Sequence, residues 1–539
     1  MKNFVSVLRT PDAVFGATEA SPFRFEERAS AACDVKYDYT VGEKSARVTV
    51  YPSGAPVKYL KLRFRGDMNG IESVYGDQWE RCCDGALFEW RSVMPHRALG
   101  WFCYVKMGGR IGCYGVKTGA DCFAFWQVDL HGVTLFLNLK SGSVGTDLAE
   151  PILACEVVEH FSDEGEDAYT VAKRFSAMLC DAPVLPAEPI FGVNNWYWAY
   201  GKISKESIRE ETDYLMQMCT GAKHRPYMII DDGWQLERAL GENKYNGGPW
   251  TVNSNFTSMA DTAEDIHKRG AKAGIWFRPL LTLSDIPERA RLSLGSGGSI
   301  LDPTHPYTLE YVREVTANIR AWGYELIKHD FTTIDAFGVS PLSTEMHTAN
   351  MCKSDRAFFD KSITTATAIK RLYAAIQEGA GGAEVIGCNA IGHLCAGIHS
   401  VYRTGNDTSG NHFELTRRHG VNSMMRLPLN DTLYRADPDC AAFTDRVDAE
   451  LNLDYLEMCA LTGCTALASV TPHILNGRQM ARINEIFLTA DEDKRRYGIA
   501  DYATNACPEK FVSEDGSVVK EYDWTRAYDG ARVDIVWSD

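Results

Sequence analysis

The chain has 539 residues, 45% of them hydrophobic and 24% charged, and a formal net charge of −16. That length exceeds one ordinary domain, so two or three are expected. The acidity argues against nucleic acid and anionic membranes as partners, because both select basic surfaces. No apolar run approaches the ~18–20 residues of a membrane span. The N-terminus shows no apolar stretch of the ~7–15 residues that a secretory signal needs. The 16 cysteines are scattered, Cys82-Cys83 is the one close pair, and no CxxC occurs. Unpatterned thiols fit a reducing cytoplasm better than a disulfide framework, so a cytoplasmic location is expected.

Residues 1–180 read as an all-β sandwich domain. Stretches 46–51, 57–64 and 133–139 alternate apolar and polar residues, and glycine or Asp/Asn turns separate them. Helical periodicity enters only at 168–179. The linker that follows carries Pro183, Pro186 and Pro189 and marks a boundary. From residue 190 the texture becomes strand, loop and helix in repetition. Strands are predicted at 190–193, 227–230, 274–277, 324–331, 384–388, 398–402, 432–434 and 466–470. Helices are predicted at 205–218, 259–269, 307–322 and 361–378. The count and length fit an α/β fold, a (β/α)8 TIM barrel over residues 190–485. A doubly wound sheet is the alternative, but no glycine fingerprint opens the first unit and no P-loop occurs. Residues 486–539 form a short C-terminal β extension, with strands predicted at 517–520 and 531–537.

In such barrels the chemistry sits at the C-terminal ends of the strands. Those ends deliver Asn194, Asn195 and Trp196; Asp231, Asp232 and Trp234; Trp276 and Arg278; Lys328 and Asp330; Cys388 and Asn389; Arg403 and Asp407; and Asp437 and Asp439. Lys328 and Asp330 alternate with His329, so they share one face of their strand. An ion pair between them helps keep Asp330 ionised, as a carboxylate nucleophile requires. Carboxylates, amides and tryptophans together make a polar, aromatic-floored bowl suited to sugars. Taken singly, each has a plainer account. Asp231-Asp232 fits a helix cap, Asp437-Pro438-Asp439 a turn, Arg403 with Asp407 a surface pair, and the tryptophans a core. A metal set of His393, Cys395 and His399 is also conceivable, although packing of a loop and strand is the better account.

Seven pieces in order then resemble the α-galactosidases of glycoside hydrolase families 27 and 36 (clan D). They are Gly192-Val193-Asn194-Asn195-Trp196, Asp231-Asp232-Gly233-Trp234, Gly274-Ile275-Trp276-Phe277, Ile327-Lys328-His329-Asp330, Cys388-Asn389, Arg403-Thr404-Gly405-Asn406-Asp407 and Asp437-Pro438-Asp439. The resemblance implies Asp330 as nucleophile and Asp407 as general acid/base. It implies that Asp231 and Asp232 hold the 4- and 6-hydroxyls of a galactose-like ring. Lys328, Arg403 and Asp439 then line the subsite with Cys388 and Asn389, and Trp196 and Trp276 form its walls. No metal or organic cofactor is implied, and a homo-oligomer is. The chain departs from the pattern at Arg278, where a glutamate is common, and at His329, where an aromatic is usual. The loop Asn389-Ala390-Ile391-Gly392-His393 lacks the usual glycine run. Its compact Asn389 and Gly392 leave a 2-acetamido sugar open, so α-N-acetylgalactosaminidase and transglycosidase are alternatives. A dead carbohydrate-binding barrel and a metal-dependent barrel enzyme using Asp231, Asp232 and Asp330 are the rivals of another class.

Overall fold

The computed structural model describes residues 4–21, 33–81, 88–92, 98–236, 239–240, 243–295, 297–338, 355–493 and 496–526. The N-terminal part holds ten strands: β1 (Ala13–Thr18), β2 (Lys36–Val41), β3 (Ala46–Tyr51), β4 (Val57–Arg65), β5 (Ile71–Gly76), β6 (Phe102–Met107), β7 (Arg110–Val116), β8 (Phe123–Asp129), β9 (Gly132–Asn138) and β10 (Ile152–Phe161). They form two antiparallel sheets, ordered β1-β4-β9-β8 and β2-β3-β10-β7-β6-β5. Period-two patterning explains the layering. Val48 and Val50 of one sheet bury against Leu60, Leu62, Leu135 and Leu137 of the other in one apolar cluster. The expected helix begins at Ala168, where the Asp167 carboxylate accepts from Thr170 N at 2.8 Å, and ends at Ser176. Residues 181–189 carry neither helix nor strand.

Beyond them lies one nine-stranded parallel sheet. Its strands are β11 (Phe191–Asn194), β12 (Tyr227–Ile230), β13 (Lys272–Phe277), β14 (Leu326–His329), β15 (Glu384–Gly387), β16 (Val401–Arg403), β17 (Arg435–Asp437), β18 (Ala441–Phe443) and β19 (Ala466–Val470). The order is β17-β16-β15-β14-β13-β12-β11-β19-β18. Tyr227, Ile229, Leu326, Ile386, Val401 and Leu467 share one interior cluster, so the sheet curls until distant strands meet. Hydrogen bonding does not close it. The predicted seventh strand is displaced to Arg435–Asp437, and the chain breaks at Pro438 to Cys440 before resuming as β18 on the other edge. Asp439 sits there in a left-handed conformation, φ +78°, so the closed eight-stranded barrel gives way to a curled open sheet.

The outer face is covered by helices whose starts are legible caps. Ser204 caps Lys205–Met218, Ser258 caps Met259–Lys268, and Thr364 caps Thr365–Ala380. The last of these begins four residues later than expected because Thr364 intervenes. Near the C-terminus Tyr497–Ile499, Lys510–Ser513 and Val519–Glu521 form a small antiparallel sheet. The strand expected at 531–537 lies outside the described residues. No helix among the described residues is long and apolar enough to cross a membrane.

Candidate active site

Along β14, Leu326 enters the curled interior, and Ile327 and His329 face the helices. Lys328 is therefore turned inward at the strand end. Its Nζ donates to Asp231 Oδ2 at 2.7 Å, and Asn194 Nδ2 donates to the same oxygen at 2.7 Å. Asn195 Oδ1 accepts from Asp231 N at 2.9 Å. Three strand ends are thus tied at one carboxylate. Burial alone would lower the pKa of Lys328, but Asp231, Cys388 and Asp330 together outweigh it, and the ammonium is held well above its ordinary value. The expected Lys328–Asp330 ion pair is corrected here. The contact partner of Lys328 is Asp231, which reaches across from β12, and Asp330 acts on it only as a nearby charge.

Asp330 is half-buried. Its Oδ2 accepts from Trp276 Nε1 at 3.2 Å and its Oδ1 from Phe331 N at 2.8 Å. Phe331 takes φ +61°, an uncommon conformation for a bulky residue, and so turns the chain sharply beside the carboxylate. Trp276 is only 1% exposed. It offers the site an N–H rather than an open ring face, which corrects its reading as a wall. Trp196 is half-buried and keeps part of its indole open.

Asp232 accepts from Gln235 Nε2, and from Asn246 Nδ2 at 3.4 Å. Asn246 Oδ1 accepts in turn from Arg278 Nη1 at 2.7 Å, and Arg278 is paired to the buried Asp335. Burial, with repulsion from Asp231 and Asp330, pushes the Asp232 carboxyl up to about 6.

Asp407 follows β16, and its side chain is 54% exposed. Oδ1 receives Arg81 Nη1 at 3.0 Å and Arg403 Nη2 at 3.1 Å. Desolvation raises its pKa, but Arg81, Arg403, Lys328 and His419 outweigh it and hold the carboxyl well below the usual range. Arg403 also pairs with buried Asp439, which accepts from Tyr197 OH and from Thr408 N at 2.9 Å. Burial pushes the Cys388 thiol up to about 12, in the field of Asp330, Lys328, Arg81 and Arg403. Lys328 senses both Asp330 and Asp407.

Asn389 is occupied. Its amide donates to Glu80 Oε1 at 2.6 Å and its carbonyl oxygen accepts from Thr333 N at 3.1 Å. Gly392 N donates to Trp79 O at 2.8 Å. The loop that was to accept a 2-substituent is therefore bracketed by the N-terminal part of the chain. Glu80 and Arg81 lie over 300 positions from these partners, and no local spacing announces them. Tyr197, in contrast, directly follows a recognisable motif, while Asn246 lies 14 positions from Asp232. His393 stacks on Trp101 at 5.3 Å, His399 Nε2 faces His329 Nε2 at 3.2 Å, and Cys395 Sγ donates to Gly392 O at 3.3 Å. The three have separate partners, and no group of three or more His, Cys, Asp or Glu among the described residues is arranged to hold a metal.

Neither a family model nor a curated protein sequence matches the chain. Solved structures do resemble it. TtGalA, an α-galactosidase from Thermus thermophilus, has a TM-score of 0.59 at 16% identity over 90% of this chain and 99% of that one. The GH36 α-galactosidase AgaA from Geobacillus stearothermophilus has a TM-score of 0.58 at 15% identity, over 89% of this chain and 71% of that one. An α-galactosidase from Lactobacillus brevis has 0.58 at 12% identity, over 87% and 67%. At such identities the likeness shows a shared fold, a curled parallel sheet with antiparallel β sheets.

Proposed function

We propose that the chain is a retaining glycoside hydrolase that removes terminal α-galactose-type residues. The observation that carries this reading is Asp330. It is half-exposed, its oxygens accept from the neutral N–H groups of Trp276 and Phe331, and its charge acts on Lys328. In the proposed mechanism Asp330 attacks the anomeric carbon and Asp407 donates a proton to the leaving oxygen. A covalent glycosyl-enzyme forms, and Asp407 as base then activates water. The carboxyl groups of such a pair stand about 5–5.5 Å apart. Asp231 and Asp232 take the ring hydroxyls, with Lys328, Arg403, Asp439 and Trp196 around them. Arg81 and Arg403 favour the ionised Asp407 needed in the second step and oppose the protonated form needed in the first. Activity therefore falls as pH rises above the acidic range. Residues 1–180, 190–485 and 486–539 act as sandwich, catalytic sheet and extension, in a homo-oligomer.

The neighbours bear on the choice of sugar. TtGalA is described in complex with p-nitrophenyl α-D-galactopyranoside and with stachyose, and an AgaA variant with raffinose. Occupied Asn389 and covered Gly392 favour a bare 2-hydroxyl over a 2-acetamido group. The test is a panel of nitrophenyl α-galactoside, α-N-acetylgalactosaminide and β-L-arabinopyranoside, with added raffinose and with chelator. Turnover of the α-galactoside with retained configuration is expected. Asp330→Asn is expected to lower kcat on the order of 10³-fold or more with an unchanged circular dichroism spectrum. A fully active Asp330→Asn, or sugar binding without turnover, overturns the assignment. Chelator sensitivity points to the metal-dependent reading, and transfer to excess acceptor points to a transglycosidase.

A further inference from the structure

Strand β13 ends at Phe277, and the next residue, Arg278, is buried. A guanidinium carries five N–H donors in a fixed plane and no acceptor. Nε and Nη2 of Arg278 donate to the two oxygens of Asp335 at 2.9 and 2.5 Å, which fixes that plane. Asp335 is itself buried, so removing either partner strands the other charge. Two further contacts of Arg278 lead to two different carboxylates of the candidate site. The first runs through Phe331. The guanidinium carbon lies 4.3 Å from the centroid of its ring, a cation–π distance. Phe331 directly follows Asp330, and its N–H is the donor to Asp330 Oδ1. Its φ of +61° persists in a bulky residue only where the surroundings over-determine it. Three contacts do so. Arg278 lies over the ring, Trp276 meets it edge to face at 6.4 Å, and Asp335 N donates to Phe331 O at 2.9 Å. Arg278 holds two of the three, because Asp335 is its own ion-pair partner.

The second contact runs to Asp232. Arg278 Nη1 donates to Asn246 Oδ1 at 2.7 Å, and Asn246 Nδ2 donates to Asp232 Oδ2 at 3.4 Å. A guanidinium can only donate, so the amide oxygen of Asn246 must face it, and the amide nitrogen is left for Asp232. A neutral side chain in place of Arg278 removes that constraint on the amide.

We propose that Arg278 is the positioning residue of this site: through Phe331 it aims the carboxylate of the nucleophile, and through Asn246 it orients the carboxylate that takes a ring hydroxyl. The inference rests on the hydrolase reading above, and it assigns the two paths to different kinetic constants. The Phe331 path matters as Asp330 closes on the anomeric carbon, so it acts on kcat. The Asn246 path supports a hydroxyl contact made in the ground state and the transition state alike, so it acts on KM.

The test is steady-state kinetics on p-nitrophenyl α-galactoside with three variants, each checked by circular dichroism and Tm. Phe331→Leu and Asn246→Ala leave the buried Arg278–Asp335 pair intact. Phe331→Leu should lower kcat about tenfold, within the range of a desolvated cation–π contact, and keep KM within about twofold. Asn246→Ala should raise KM about tenfold, the worth of one hydrogen bond to a charged group, and keep kcat within about twofold. Arg278→Lys keeps a charge beside Asp335, but one ammonium cannot span Asp335, Asn246 and the ring, so it should show both losses together. A role confined to folding would lower Tm and leave kcat and KM of the folded protein unchanged. An Arg278→Lys enzyme with both constants of the wild type, or losses in Phe331→Leu and Asn246→Ala that fall on the same constant, overturns the proposal. If Arg278→Lys does not fold, the other two variants decide by the constants they move. If the wild type turns over no glycoside, the hydrolase reading fails by itself. Crystal structures of the wild type and Arg278→Lys then decide the positioning: Phe331 out of its left-handed conformation and Asn246 detached from Asp232 support it, and either of them unchanged overturns it.

Discussion

The electrostatic contrast between Asp330 and Asp407 is the main feature at the scale of single residues. Among the described residues Asp330 accepts from two neutral N–H groups, whereas Asp407 meets two guanidiniums on one oxygen. A general acid must be protonated, so the fraction available falls as pH climbs past its pKa. Arg81 contributes most among the charges that depress that pKa. Arg81→Leu should therefore raise it and move the alkaline limb of the kcat/KM profile to higher pH. A role confined to packing would lower activity at every pH and leave the limb where it was. Nitrophenyl glycoside rates measured across pH 4–9 distinguish the two.

Among the elements, the helix Lys205–Met218 carries an acidic side chain inward. Glu211 is buried, and its Oε1 accepts from Trp198 Nε1 at 3.0 Å. Burial pushes its carboxyl up to about 8. The sign follows from linkage. With the folded value above the unfolded 4.5, the buried neutral acid contributes its full stability below about pH 4.5. That contribution is lost progressively as pH rises through about 8. Glu211→Gln is neutral at every pH and can preserve the acceptor for Trp198. It should flatten the pH dependence of Tm and exceed the wild type above pH 8, by a few kcal/mol at most. Thermal unfolding from pH 5 to 9 checks it.

For the whole molecule, the N-terminal sheets and the parallel sheet share a core. Trp79, Trp101, Phe123 and Phe175 belong to the same apolar cluster as Phe191, Ile275 and Ile327. Arg426 and Asp77 form a buried ion pair across this junction, with Arg426 Nη1 also donating to Thr404 O at 2.9 Å and its guanidinium 3.9 Å from the Phe88 ring centroid. Asp77→Ala strands that guanidinium without its carboxylate. The expected loss is about 3–5 kcal/mol, read as a lower denaturant midpoint. If the two parts fold as one unit, the β-sheet and tryptophan signals should fall together.

The elements themselves were legible along the chain. Period-two and helical patterning are local, whereas the cap at Thr364, which shortens its helix by four residues, went unread. Placement of Asp231, Asp232, Lys328 and Asp330 at strand ends follows from the same alternation. The partners did not. Lys328 pairs with Asp231, from two strands away in the sheet order, rather than with its neighbour Asp330. Glu80 and Arg81 reach the site from a β domain that showed no motif. Trp276 is sealed from solvent, and β17 parts from β18 at Pro438 to Cys440. Periodicity reports which face a side chain takes on its own element. Which charges meet, and which ring faces stay open, depends on how distant elements pack, and only the three-dimensional arrangement settles that.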